Sequence, residues 1–529
     1  MPALIPLFKS WVPAWLVRVT MFVVLLPSFV LFFLPLSNVT VTAGYYGIEP
    51  ADVQFSVVIF YVGYTSFFSL EKRFFRYLAT KEYFFIFTLI QLLTSFICYE
   101  THSLLILLIF RFIQGMMFTS TANLALALIF NRLHSQRARA IAYSVFFGML
   151  VCIIPFNNFI TADMLDATGF NTVFRGAIIS YLPGLFLLAI SMNNVRLNIK
   201  FPLYLLDWES FLFYGSFLSL FGYVMVYGQE RYWFEDRQIC IAVALMVFFL
   251  VLFWIRQFFM KRPYFVPDVF RYRNFILGGG VLFILYLCRF TLNFSSAYFT
   301  AILGFDPRHL SYINLFNIGG IAFGVITSCV YLLQNRPIRL IWIYGFLSLL
   351  VFHVWMFFLF SKQGNADNYF VPIFLHGLGV GLLIVPCIIF MISSVPVSLG
   401  DTAAGICLFV RCSGFISSIA LINYYDLLKR STHFNAFMDR LSGNNPLFKQ
   451  TLLRQSKALV GHGLSKHQAP AAATRLLVKQ IGLQAQVRSA MDYYVLITGL
   501  IVMTLIIIAL FPYVNRTVIR LRKDQPAPF

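Results

Sequence analysis

Fourteen times between residues 16 and 514 the chain runs for roughly twenty residues with almost no charge, each run bounded by charges or by clusters of Pro, Gly and Asn. A helix of about 20 apolar residues crosses a hydrocarbon core of roughly 30 Å and satisfies every backbone hydrogen bond within itself. The runs lie at about 16–36, 53–70, 83–99, 104–130, 140–161, 173–192, 209–228, 238–259, 275–300, 309–333, 338–360, 369–395, 402–425 and 492–514. They predict an all-α polytopic membrane protein with both termini on one side. Only 11% of the 529 residues are charged, too few to cover a soluble fold of this size, where roughly 25% is usual. A soluble enzyme, a secreted disulfide scaffold and a nucleic-acid-binding domain are thereby excluded. The eight cysteines stand singly in apolar segments and read as small hydrophobes, so neither a metal nor a cofactor is expected. Residues 1–15, with three prolines and two tryptophans, read as an interfacial lead-in to a retained first span.

Net charge is +20, and its distribution orients the chain. With the termini cytoplasmic, the short outer loops hold only Arg175, Arg231, Arg237, Arg308 and Lys362, whereas twenty-two Lys and Arg fall on the inner side. Lys and Arg accumulate in cytoplasmic loops, so this bias predicts inner termini. Ten more lie in one long outer connection, 426–491, and three lie within spans. The turns after spans 2 and 10 share an Arg-x-x-Arg pattern, Arg73 with Arg76 and Arg336 with Arg339. That repeat suggests two six-helix bundles, 16–193 and 275–529, joined by two linker spans and a cytoplasmic loop, 194–274, with a cytoplasmic tail at 515–529.

Charged or amide side chains inside spans are costly and mark cavities or polar partners. Arg111, Gln114, Arg289, Asn293, Asn314, Asn317 and Arg411 are therefore the candidate lining of a substrate cavity, with Arg289 and Asn293 on one helix face. For Arg111 and Arg411 the alternative is a bracing role, bonded to backbone carbonyls. None of the twenty acids falls near the middle of a span, so the coupling candidates are His353 and His376, plus the edge acids Asp163 and Asp426. Packing of each histidine against a neighbouring carbonyl is the competing reading. Gly115, Gly148, Gly414 and Pro155 are expected where helices gate or pack closely.

Several segments, in order along nearly the whole chain, resemble the fourteen-span EmrB/QacA branch of the major facilitator superfamily. They are Arg111-Phe112-Ile113-Gln114-Gly115, Phe174-Arg175 with Tyr181-Leu182-Pro183-Gly184, Lys261 to Phe275, Arg411-Cys412-Ser413-Gly414, and Gln484 to Tyr494. The resemblance implies two bundles rocking about a midplane cavity and ion-coupled export of amphipathic compounds. It also implies a Gram-negative inner membrane and a periplasmic adaptor at 426–491. Departures bear on mechanism. The family's Asp-Arg-x-Gly-Arg turn has Lys72 and Phe75 at its Asp and Gly positions. Its Gly-Pro-x-x-Gly-Gly motif keeps only Pro155, and its span-1 acid has no counterpart before Glu49. A carrier or facilitator of an organic anion or lipid-like metabolite is the second reading, and a membrane scaffold or enzyme the third. In 426–491, Pro446–Val460 and Ala469–Ala490 are expected as two short amphipathic helices, docked on an adaptor or on the protein's own mouth.

Overall fold

The computed structural model describes residues 7–133, 138–195, 207–260, 263–441 and 445–510, with 14, 72–76, 123–133, 138–139, 162–168 and 307 in backbone only. The side chains of Arg73, Arg76 and Asp163 and the tail 515–529 thus lie outside the described residues. Among the described residues fourteen helices are long and apolar enough to cross a membrane. Spans 1 to 6 are Trp15–Ser37, Pro50–Glu71, Thr80–Glu100, Leu104–Ala122, Ala140–Thr161 and Gly169–Ser191. Spans 7 and 8 are Trp208–Tyr227 and Arg237–Phe259. Spans 9 to 14 are Arg273–Ala301, Arg308–Leu333, Ile338–Leu359, Asp367–Ser393, Val397–Asp439 and Ala469–Leu510. Large apolar side chains such as Phe186, Phe258 and Phe358 are exposed on the outside of the bundle, as helices facing hydrocarbon require.

Glycines set the tightest approaches. A Cβ on Gly115 of span 4 would sit 1.9 Å from the Phe60 carbonyl oxygen of span 2, and one on Gly63 would sit 2.2 Å from that of Phe112. The same seam recurs between spans 10 and 12. There, a Cβ on Gly320 would lie 2.2 Å from the Phe374 oxygen, and one on Gly377 would lie 2.3 Å from the Asn317 oxygen. Bare backbones touching in this way replace the hydrophobic driving force that lipid cannot supply. Between the two sets of helices, Gly148 of span 5 faces Val325 of span 10, where an added Cβ would meet Cγ1 at 3.2 Å. Gly414 of span 13 would meet Tyr286 Cβ at 2.8 Å.

Prolines create the other local feature. Pro27 and Pro35 lie inside the helix of span 1, Pro155 inside that of span 5, and Pro372 and Pro386 inside span 12. Each lacks the N–H that would bond the carbonyl four residues back, so that carbonyl needs another donor. Gly169, at φ 77, breaks the helical run between spans 5 and 6.

The connection 426–491 differs from two separate short helices. Span 13 continues through a π-helical turn, Tyr425–Lys429, into Arg430–Asp439. Pro446–Gly461 forms a helix of its own as expected, whereas the stretch from Ala469 runs unbroken into span 14 as one helix, Ala469–Leu510, of 42 residues. Its lone proline, Pro470, stands in the first turn, where the missing N–H costs nothing. His433 Nε2 lies 2.7 Å from Asp492 Oδ2 and ties the two extensions together. The result is a helical hairpin, and the end of the bundle that carries it is called the hairpin face below. The opposite end is the terminal face. There the lead-in is pinned to the end of span 6, with Lys9 N donating to Ser191 O at 2.9 Å and Asn193 N to Leu7 O at 2.9 Å. Nearby, Asp207 is buried and receives Arg256 Nε and Nη2 at 3.1 and 3.0 Å, closing spans 7 and 8.

Candidate functional site

A vestibule of about 570 Å3 opens on the hairpin face. Leu36 to Thr40 at the end of span 1, Gln54 of span 2 and Asn158 and Thr161 of span 5 form one wall. The other comes from spans 9, 10 and 13, with Asn293, Phe294, Tyr298, Asn314, Ile419, Ile422, Asn423 and Asp426, and the rim includes Gln486 and Ala490 of the hairpin. Both sets of helices therefore contribute to one cavity. At its edge Gln54 and Asn423 exchange amide hydrogen bonds of 3.4 and 3.0 Å between spans 2 and 13. Asp426 stands 3.7 Å from Arg430, one helical turn on.

Asn293 also borders a second, smaller pocket deeper in the bundle, shared with Ile154, Pro155, Arg289, Asn317 and His376. Of the sequence-derived cavity residues, Arg289, Asn293, Asn314 and Asn317 are thus brought together along one path, and His376 joins them. Arg289 is 6% exposed. Its Nη2 donates to the Leu150 carbonyl at 3.0 Å, and its guanidinium lies 5.1 Å from the Phe290 ring and 5.6 Å from Tyr286. Leu150 immediately precedes Val151, whose carbonyl Pro155 leaves without its usual donor. Asn314 is turned back on its own helix, with Nδ2 on Leu310 O at 2.8 Å.

The histidines are held by carbonyls. Asn317 Nδ2 lies 3.0 Å from Ile373 O and 3.1 Å from His376 Nδ1, so Nδ1 is the acceptor and Nε2 carries the proton toward Cys288 O at 3.3 Å. His353 takes the other tautomer, with Nδ1 donating to Leu349 O at 2.7 Å and Nε2 accepting from Thr291 Oγ1 at 3.3 Å. Both rings are buried, and the vestibule lining includes neither.

Arg111 and Gln114 lie elsewhere, within spans 1 to 6. Arg111 Nη1 donates to Leu31 O at 3.0 Å and to Gln114 Oε1 at 2.9 Å, while Nη2 reaches Phe32 O at 3.1 Å. Leu31 is the residue four before Pro35, so the arginine supplies the donor that the proline withholds. Gln114 Nε2 goes on to Ser95 Oγ at 2.6 Å. The signal for this placement, a proline four residues after the accepted carbonyl, is present in the sequence. Arg411 stands between the two sets of helices, with Nε donating to the Tyr286 hydroxyl at 2.9 Å and the guanidinium 4.9 Å over the Phe147 ring. Its Nη2 has no partner although buried. On the terminal face Arg339 Nη2 donates to Ala509 O at 2.8 Å, while Arg336 is exposed beside Asn335, whose φ is 52.

Residues that the sequence did not single out include Gln54 and Asn423, which pair across the vestibule edge, and Tyr286, which lies between two buried arginines. Their polarity at helix ends, or their aromatic bulk, gives no signal until the helices are placed.

No known family profile matches the chain. A relative, the colistin resistance protein EmrB of Acinetobacter baumannii, is 23% identical over 385 residues, which cover 71% of this chain and 73% of the relative. Among solved structures, a POT family transporter in complex with 5-aminolevulinic acid superposes with a TM-score of 0.61 at 13% identity, covering 97% of this chain and 99% of that one. A mutant of the peptide transporter POT in complex with alafosfalin gives 0.60 at 10% identity and 98% coverage of both. The fold is therefore the major facilitator fold of these solved transporters, with fourteen candidate spans among the described residues of this chain.

Proposed function

We propose that the chain is a secondary active transporter that exports amphipathic or aromatic small molecules by alternating access. The observation that carries this reading is the vestibule, because its walls come from both halves, and a cavity at the seam of two rigid bodies is emptied and refilled when they rock. The rocking bodies are 16–193 and 275–529, with 194–274 as the linker. Contacts between the two bodies include Gln54 with Asn423, Gly148 with Val325, Arg289 with Leu150 O, Ser311 with Phe159 O, Arg411 over Phe147, and Phe33 and Tyr61 against Phe415.

The charge bias supports cytoplasmic termini in the inner membrane of a Gram-negative bacterium, with the vestibule opening to the periplasm. Coupling to an ion proceeds without a span-1 acid, and His353, His376, Asp163 and Asp426 are the groups proposed to carry it. The hairpin is the proposed contact for a periplasmic adaptor, supported by exposed Leu447 and Leu453 on a strongly basic segment. Purified protein in proteoliposomes tests the function. An imposed pH gradient is expected to drive accumulation of a fluorescent amphiphile at least tenfold above protein-free vesicles. Equal accumulation across a panel of amphiphiles, with and without protein, would reject it.

A further inference from the structure

The two cavities share Asn293 in their walls, and the inner one is unbalanced in charge. Arg289 contributes five N–H donors and makes one hydrogen bond, to a backbone carbonyl. Arg411, on the other side of Tyr286, makes one, to a hydroxyl. Neither has a carboxylate within ion-pair distance among the described residues, although both are at least nine-tenths buried. A buried cation without a counter-charge draws an anion to itself. Beside Arg289, Asn317 Oδ1 is buried and accepts no hydrogen bond. The inner pocket is small, about 10 Å3, room for one water-sized group. Only the tip of a ligand fits there, and the rest must lie in the vestibule against Phe294, Ile419 and Ile422.

We infer that the transported molecule is an amphipathic oxyanion, its charged oxygen received by Arg289, a neighbouring N–H or O–H of the ligand donating to Asn317 Oδ1, and its apolar body held in the vestibule. This deepens the transport reading above and rests on it for the word transported, while the binding site stands on the geometry alone. A cation in the same pose would face Arg289 at close range and be repelled.

Three matched fluorescent probes separate the outcomes. Dansyl-phenylalanine carries a carboxylate beside a sulfonamide N–H, its methyl ester keeps the body without the charge, and dansylcadaverine carries an amine. Binding is read by fluorescence on the detergent-solubilised full-length protein, and transport in proteoliposomes. The acid is expected to bind wild type at least tenfold tighter than either other probe. Arg289→Gln is expected to erase that preference and Arg289→Lys to keep part of it, with all variants eluting as the wild type does. Equal binding of acid and ester by wild type, or tighter binding of the amine, overturns the inference without any variant. Transport of the amine alone would leave the transporter reading intact and reject the anion. Arg289-dependent binding of the acid without transport of any probe would uphold the site and reject the transporter.

Discussion

The N-terminal and C-terminal halves solve the same packing problem with different side chains. In each, the fourth helix of the half presses a glycine onto the backbone of the second and sends a polar side chain to the carbonyls of the first. Gly115 meets Phe60 O while Arg111 bonds Leu31 O and Phe32 O; Gly377 meets Asn317 O while His376 reaches Cys288 O. The donors differ because the acceptors do. Pro35 strips the Leu31 carbonyl of its helical partner and calls for a strong, always-charged donor, whereas no proline follows Cys288 at that spacing and a neutral imidazole suffices. The N-terminal half is thereby locked by a group that does not titrate near neutrality. The C-terminal half is held by a neutral imidazole that borders the inner pocket.

The largest expected effect would test whether the glycine seams are equivalent. Gly115→Val and Gly377→Val each force a branched side chain onto a carbonyl oxygen, and each is expected to cost about 3 kcal/mol or more. Thermal unfolding in detergent should show similar losses, and a loss confined to one variant would break the symmetry. Next, Arg111→Gln and Arg289→Gln should diverge. The first leaves the Leu31 carbonyl, which Pro35 cannot serve, without a donor and strips a second bond from Phe32 O, and is expected to lose about 2–4 kcal/mol, the second under about 1 kcal/mol. A melt that ranks them the other way would make Arg289 the brace. The proposed coupling by histidine predicts that replacing His353 and His376 together by Gln abolishes proton-driven accumulation while leaving downhill movement of the cargo. Gradient-driven transport persisting in that double variant would remove the contrast between halves as a source of coupling. The smallest effect on transport itself is expected from deleting 433–485. Flux in proteoliposomes should change less than about twofold, because no residue of 433–485 lines the vestibule, while cross-linking to a co-expressed adaptor, if the hairpin is its contact as proposed, should disappear.

The number of spans was legible because membrane helices must be long and apolar, whereas the Arg-x-x-Arg match does not mark equivalent places: Arg73 and Arg76 lie within the helix Pro50–Tyr77, while Arg336 precedes the helix Ile338–Leu359 that contains Arg339. Glycine pairing was not legible, since Gly63 and Gly320 carry no mark of which helix comes to meet them. Arg111 shows how a site is half legible. A buried arginine signals a polar partner without saying whether it is a cavity or a carbonyl, and Pro35 is the residue that distinguishes them. The pairing of Arg289 with Asn293 was within reach from helix periodicity, whereas Asn317, on the next span, joins them only once the helices are placed. The Gln54–Asn423 bridge joins residues 369 positions apart and needed three dimensions. In the connection before span 14 the amphipathic pattern located helices correctly, but pattern alone does not show that the last one continues without a break into the membrane.

That continuity turns the hairpin into an indicator of what happens below it. A helix of 42 residues is about 63 Å long, so beyond a bilayer of about 40–45 Å some 20 Å of the same rigid rod stands clear. A tilt of about 10° in the C-terminal half, pivoting near the midplane, would swing the rod's free end through roughly 7 Å. Under the proposed alternating access, a partner on the hairpin would therefore be mechanically informed of which way the cavity is open, through one unbroken helix.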